Sequence, residues 1–307
     1  MGDAAARVDL GHVERMVTLR SFPGWSSLDQ SELALLADLA VPRFAPAGAT
    51  LIAVDEPVTH VFMVVRGEVE VRLEGRVIGR YGPGGAVGGV AAFAGRSEGY
   101  EIRVLEDATL LVSPVAEIEE VFEDRFPILA NVLRTLAKQM IELRRRLGPS
   151  AGYPETAQAG DACPARKLDL VERIFYLRKN LAMDDSSIDS VAVLAKAAIE
   201  VRGAPGDVLW REGDLADSML AILCGRVRCT NDLGQEFFLG AGDLAGSLDS
   251  AGQIPRFCTT TVVDGVVGLQ LPRDAMLDVW EDHPELPLRL LRAFSRQVLT
   301  MQQQVAP

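Results

Sequence analysis

The stretch APGDVLWREGDLADSMLAILCGRV, residues 204–227, is followed by GDLAGSLDSAGQIPRFCTT, residues 242–260. Both consist of short apolar runs interrupted by glycine. Runs of this kind, punctuated every ~8–12 residues by turn formers, predict antiparallel all-β structure. Around them stand helical patterns: Leu168–Leu177 and Ser187–Ala198 before the strands, and an amphipathic segment through Leu291, Phe294, Val298 and Met301 after them.

The same order occurs earlier in the chain. VERMVTLR at 13–20 returns as VERIFYLR at 171–178, an offset of 158. That offset carries Gly67 onto Gly225, and Gly82, Gly84 and Gly88 onto Gly240, Gly242 and Gly246. It also carries Pro114 onto Pro272, EVFED (120–124) onto DVWED (278–282), and Leu133-Arg134 onto Leu291-Arg292. One ungapped offset over most of each half is the mark of tandem duplication. The strand-like runs of the first copy are THVFMVVRGEVEVRL, RVIGRY and EIRVLEDATLLVS, preceded by helical patterns at Val13–Leu19 and Gln30–Ala40. The fold expected is mainly β with flanking α. It has two domains, 10–147 and 168–307, each a β-barrel or sandwich with N- and C-terminal helices. Residues 148–167, GPSAGYPETAQAGDACPARK, lack periodicity and read as the linker.

Composition narrows the function. The 307 residues are 48% hydrophobic and 24% charged, ordinary for a globular protein of two domains. With 31 Lys and Arg against 43 Asp and Glu, the formal charge is −12. Such a field repels phosphate backbones and argues against nucleic acid as a partner. The four cysteines, Cys163, Cys224, Cys229 and Cys258, form no CxxC pair, and His12, His60 and His283 are scattered, so no metal site or cofactor is expected. So few cysteines predict a reducing, cytoplasmic setting rather than a disulfide framework, with Cys224, Cys229 and Cys258 as buried apolar filler. The N-terminus lacks a signal-peptide pattern, and no apolar run reaches the ~18 residues a membrane span needs. No nucleophile–base pair or paired carboxylates stand in a recognisable context. The chain reads as a non-enzyme.

With these residues in hand, the chain resembles the cyclic nucleotide-binding domain family, the double-stranded β-helix (jelly roll) of catabolite activator protein and of protein kinase A regulatory subunits. Residues 204–227 look like the family's opening strands and turn, and 242–260 look like its phosphate-binding cassette. The resemblance implies a short helix whose free N–H groups face the cyclic phosphate, an arginine forking to that phosphate, and a glutamate nine residues earlier on the ribose 2′-hydroxyl. Pro255-Arg256-Phe257-Cys258-Thr259 matches the family's Pro-Arg-x-x-Thr, but Ser247 stands in the glutamate's place. Losing that charged acceptor is expected to weaken ribose binding by ~1–3 kcal/mol. The implied ligand set is Gly246, Ser247, Leu248, Arg256, Cys258 and Thr259, with cyclic AMP or cyclic GMP as the ligand. In the first copy the equivalents are Gly88, Gly89 and Glu98. Glycine offers no ribose acceptor, and Glu98 is expected to put a negative charge where a phosphate would sit, so the first copy reads as degenerate.

Other readings stand beside these. Arg256 is alternatively a solvated loop side chain, and Ser247 a helix N-cap. Cys258 beside Arg256 suits a thiol sensor with a lowered pKa, or plain packing. The run EIEEVFED (117–124) suits a solvated face at the start of a helix ending in Arg144-Arg145-Arg146.

Phe126, Leu129, Leu133, Leu136, Met140, Leu143 and Leu147 step by three and four, a heptad seam. The equivalent helix of the catabolite activator family is the dimer helix. The seam outruns its shorter counterpart at Leu291–Met301, which would leave Phe126 and Leu129 uncovered, so a homodimer is expected. The alternative is an intramolecular pseudo-dimer, since a linker of ~20 residues reaches up to ~65 Å. Neither DNA-binding helices after the second copy nor an inhibitor segment before the first are expected. The functional expectation is a signalling regulator acting through a partner protein. The rivals are a ligand-free interaction scaffold and the regulatory subunit of a separate enzyme.

Overall fold

The computed structural model describes residues 10–148, 162–180 and 187–305. Most of the linker, 149–161, lies outside them. The chain divides into two compact units, 1–136 with 288–307, and 137–287.

In the first copy α1 (His12–Arg20) and α2 (Gln30–Leu39) precede β1 (Val41–Ala45), β2 (Thr50–Ile52), β3 (His60–Leu73), β4 (Arg76–Tyr81) and β5 (Ala86–Val87). Then come α3 (Gly89–Ala94), β6 (Tyr100–Pro114), α4 (Val115–Asp124) and α5 (Phe126–Leu147). Asp29 caps α2: its carboxylate accepts from the Glu32 amide at 2.8 Å, while Glu32 reaches back to the Asp29 amide. The six strands form one antiparallel sheet in the order β1-β6-β3-β4, with β2 on β6 and β5 on β3. The core is Val64, Val69, Val71, Leu73, Tyr100, Ile102, Val104 and Leu110 with their neighbours.

The second copy repeats this plan with α6 (Leu170–Asn180), α7 (Ile188–Ala197), β7 (Ile199–Gly203), β8 (Val208–Trp210), β9 (Ser218–Cys224), β10 (Val227–Thr230) and β11 (Glu236–Leu239). It continues with β12 (Leu244–Ala245), α8 (Ser247–Gly252), β13 (Thr259–Val262), β14 (Val266–Pro272), α9 (Arg273–Asp282) and α10 (Glu285–Val305). Here the strands make two four-stranded antiparallel sheets, β11-β10-β13-β8 and β12-β9-β14-β7. The 14-residue β3 corresponds to β9 plus β10, and the 15-residue β6 to β13 plus β14. The division falls at a glycine. Gly225 has φ +80°, and a Cβ there would overlap the Gly265 carbonyl. Gly67, at φ +82°, meets the Asp107 carbonyl in the same way, and β3 takes its register shifts beside it. Only glycine lets two strands cross this closely while one of them turns.

Three expectations are revised. The acidic run does not start a helix ending at Arg144–Arg146: α4 stops at Asp124, Arg125 leaves helical geometry (φ −134°, ψ 77°), and α5 begins afresh. Pro127 in the first turn of α5 cannot donate to a helix continuing from α4, which accounts for the break. Cys224 is not filler but is disulfide-bonded to Cys163, with Cα atoms 5.4 Å apart across 61 residues of sequence. The fold brings the segment before α6 against the end of β9, a juxtaposition that cysteine spacing cannot show.

The third revision concerns the heptad seam. Leu129, Leu133, Leu136, Met140 and Leu143 are all buried within the single chain, and Phe126 and Leu147 are half-buried. The uncovered early turn that motivated a second copy is absent, since Leu129 is fully buried. From Leu288 onward, moreover, α10 belongs to the first unit. Leu299 sits in the core of the first barrel, Gln302 Nε2 donates to the Tyr81 hydroxyl at 3.3 Å, Gln303 Nε2 to Glu74 at 2.7 Å, and Arg292 pairs with Glu119. Truncating Leu299 to alanine opens a cavity costing about 2–5 kcal/mol. Amide hydrogen exchange is expected to speed up in β3 and β6 of the first barrel while β9 and β14 keep their protection.

Candidate functional site

In the second barrel the glycine that closes β12 begins the site. Gly246 adopts φ +72° and is the N-cap of α8, so Ser247 is the helix's first residue and not its cap. A Cβ on Gly246 would overlap Arg256 Nη1, so the glycine also makes room for the guanidinium. Arg256 follows α8 on the return segment, where its amide donates to the Asp214 carbonyl at 2.8 Å and its carbonyl accepts from Gly213 at 2.9 Å.

Arg256 is 2% exposed, which rules out the solvated-loop alternative. Its guanidinium carbon lies 4.2 Å from the centroid of the Trp210 ring, a cation–π contact. Nη2 donates to the Ser218 carbonyl at 2.6 Å and to Ser218 Oγ at 3.3 Å. Nη1 faces Asp249 Oδ1 at 3.3 Å, the Ser250 hydroxyl at 3.4 Å and the Gly246 carbonyl at 3.4 Å. Asp217 approaches Nη2 at 3.8 Å from an exposed position. Asp249 is fully buried on α8, and burial pushes its carboxyl above the ordinary range, partly offset by Arg256. Asp249 Oδ2, Arg256 Nε and Trp210 Nε1 are buried with no hydrogen-bond partner among the described residues.

The other expected site residues sort by position. Leu248 and Cys258 are buried, while Ser247 is half-buried. The Thr259 hydroxyl accepts from the Glu212 amide at 3.0 Å. Cys258 is no low-pKa thiol: its hydrogen bond with Cys229, together with burial, drives its pKa upward. Asp249, Trp210 and Ser218 were not singled out from the sequence. An acid between the cassette's glycine and its arginine was the available signal for Asp249; nothing local marked Trp210 or Ser218.

In the first barrel the equivalent positions hold different chemistry. Gly88 has φ +91°, and a Cβ there would strike the His60 carbonyl. Its amide donates to the Tyr100 hydroxyl at 3.3 Å. Tyr100 occupies the position of Cys258, is 3% exposed, and burial pushes its hydroxyl pKa up. Gly89 opens α3. Glu98, expected to put its charge where a phosphate would sit, is exposed in a turn, and the group that reaches the Gly88 amide is the Tyr100 hydroxyl. Among the described residues no His, Cys, Asp and Glu cluster could hold a metal ion, and no helix is long and apolar enough to cross a membrane.

A family model for the cyclic nucleotide-binding domain matches residues 42–125 and 200–283, more than half of the chain, and the chain belongs to that family. The two matched spans are separated by the same offset as the sequence repeat. The Pycsar effector protein XpPycTIR of Xanthomonas perforans is 31% identical over 99 residues, 32% of this chain and 33% of that protein. The CRP-like cAMP-activated global transcriptional regulator of Mycobacterium tuberculosis is 28% identical over 114 residues, 36% of this chain and 51% of that protein. Patatin-like phospholipase domain-containing protein 6 of Pongo abelii is 23% identical over 73% of this chain but only 13% of its own length. The chain thus spans from 13% to 51% of the length of these curated relatives. Among solved structures, the regulatory domain of Toxoplasma gondii PKA with cAMP aligns over 92% of this chain and 95% of that one, with 16% identity and a TM-score of 0.36.

The Tyr100 contact gives a direct test. Tyr100→Phe removes the acceptor of a buried amide at nearly constant volume, which costs about 1–2 kcal/mol. Urea denaturation is expected to show a lower midpoint for the first barrel with an unchanged slope; an unaltered midpoint would mean the Gly88 amide finds another partner.

Proposed function

We propose that the chain is a non-enzymatic regulatory protein whose second barrel senses a small anionic ligand through Arg256, with cyclic AMP and cyclic GMP the first candidates. The first barrel is a degenerate copy, and the output passes to a partner protein. The observation that carries this reading is the buried Arg256 guanidinium, set against Gly246, α8 and the Trp210 ring beside buried polar atoms that lack partners. Orphaned buried donors and acceptors are costly, and a polar ligand is one way to satisfy them. In the first barrel Tyr100 occupies the Gly88 amide, and no arginine stands at position 98, so that barrel has neither the free donor nor the charge. The Mycobacterium tuberculosis relative is described as cAMP-activated, which agrees with this ligand class.

A second reading has its own support. Arg256 already has protein partners for both terminal nitrogens, as a residue in a ligand-free interaction scaffold would. Calorimetry with cyclic AMP and cyclic GMP separates the two. Arg256→Ala is expected to weaken binding by about 2–4 kcal/mol. Because it also strands the buried Asp249 carboxylate, Arg256→Lys is the cleaner variant: it keeps a cation opposite Asp249 but loses the fork. Ser247→Glu supplies the charged acceptor that the family places there and is expected to tighten binding. Binding unchanged by either arginine variant would remove Arg256 from the site.

The burial of the seam supports the reading in which the closing helices are covered within one chain, in preference to the homodimer. Light scattering at micromolar concentration is expected to give the mass of a monomer. In that case replacing Leu136 and Met140 by glutamate lowers the melting temperature without changing the mass; a dimeric mass would restore the seam as an interface between copies.

A further inference from the structure

We propose that Asp249 is an internal stand-in for the ligand's anion: its carboxylate holds Arg256 in the unliganded site, and an incoming phosphate must displace it. The inference rests on the reading of the second barrel as an anion sensor, and it names the residue that sets that sensor's affinity and charge selectivity.

Asp249 and Arg256 are both buried, 0% and 2% exposed, with Oδ1 3.3 Å from Nη1. The same oxygen accepts from the Ser250 amide at 3.1 Å, while Oδ2 has no donor among the described residues. The carboxylate is thus only half-satisfied, as a group making one interaction in place of another would be. Nη2 is occupied by Ser218, whose hydroxyl is fixed in turn by Gln270 Nε2 at 2.8 Å. Nη1, by contrast, is shared among Asp249, the Ser250 hydroxyl and the Gly246 carbonyl at 3.3–3.4 Å, and Nε has no partner among the described residues, so the Nη1–Nε edge, where Asp249 is the one charged partner, is the edge open to exchange.

One guanidinium cannot neutralise two buried anions. A phosphate arriving at Arg256 brings a second negative charge beside Asp249, and like charges at this range repel strongly away from water. Protonation of Asp249 relieves the repulsion, and the neutral acid then gives up its hold on Arg256. Asp249 is the third residue of α8, so its departure moves the helix, which gives ligand binding a mechanical consequence. The charged and titratable groups facing Asp249 are Arg256 and the Cys258 thiol; Asp217, on the exposed rim, approaches Arg256.

The sign of the pH dependence follows. Burial already favours the protonated form of Asp249, and a bound phosphate favours it further. Binding takes up a proton, so affinity rises as pH falls. A cyclic phosphodiester carries one negative charge, whereas a 5′-monophosphate carries nearly two at neutral pH. Asp249 therefore also discriminates against the more highly charged nucleotide.

Calorimetry on the full chain with cyclic AMP, cyclic GMP and 5′-AMP, between about pH 5.5 and 8, tests this. Asp249→Asn is expected to bind the cyclic nucleotides on the order of tenfold tighter than the parent. It should also lose the pH dependence and narrow the preference over 5′-AMP. Equal or weaker binding by a folded Asp249→Asn variant overturns the proposal. So does pH-independent affinity of the unmodified protein, a measurement that needs no variant to fold. If neither protein binds any of the three nucleotides, the sensor reading itself fails, and this inference with it.

Discussion

Each barrel depends on one point where two antiparallel strands approach too closely for a side chain. At Gly67 and Gly225 a strand turns in left-handed geometry against the opposite backbone, and the space a Cβ would need is filled by a carbonyl. This lets a long strand pair serve two faces of the barrel: continuous with register shifts in the first copy, broken into separate strands in the second. The rest of the barrel follows from that bend. The glycine turns at 82–88 and 240–246 return the chain along the same pair, and the last of them, Gly88 or Gly246, sets the cassette helix beside β3 or β9. A duplicated sequence keeps these glycines because the backbone requires them whatever ligand chemistry is present.

The ligand chemistry is far freer to drift, and the two copies show it. A buried arginine is tolerable only with its charge and donors accounted for. The second copy does this with Asp249, Ser218 and the Trp210 face. The first copy dispenses with the cation, and a tyrosine at the position of Cys258 gives the Gly88 amide an acceptor. Both are solutions to one problem, the satisfaction of polar atoms at the end of a barrel, and only one of them leaves a guanidinium to offer.

The duplication, the strand pattern and the Pro-Arg-x-x-Thr segment were legible in the sequence because they are local or periodic. The position of Arg256 was legible for the same reason. Its partners were not: Ser218 and Trp210 lie in other strands, and only the register of β9 and β8 brings them to the guanidinium. Glu98 was misjudged because the offset gives a position in the chain and not a side-chain direction; an exposed turn carries it away from the cradle that Tyr100 fills. Cys163 and Cys224 were misjudged because 61 residues of separation say nothing of proximity.

Leu299 is one of the last residues described, yet it completes the core of the barrel nearest the N-terminus. Local strand pairs of the first copy can form while the chain is still being made, but their hydrophobic closure waits for some two hundred further residues to be synthesised. The first barrel therefore spends much of synthesis with apolar surface open, and its final packing is a long-range event of the kind that slows folding. The two copies, similar in fold, mature in an order that is not simply the order of the sequence.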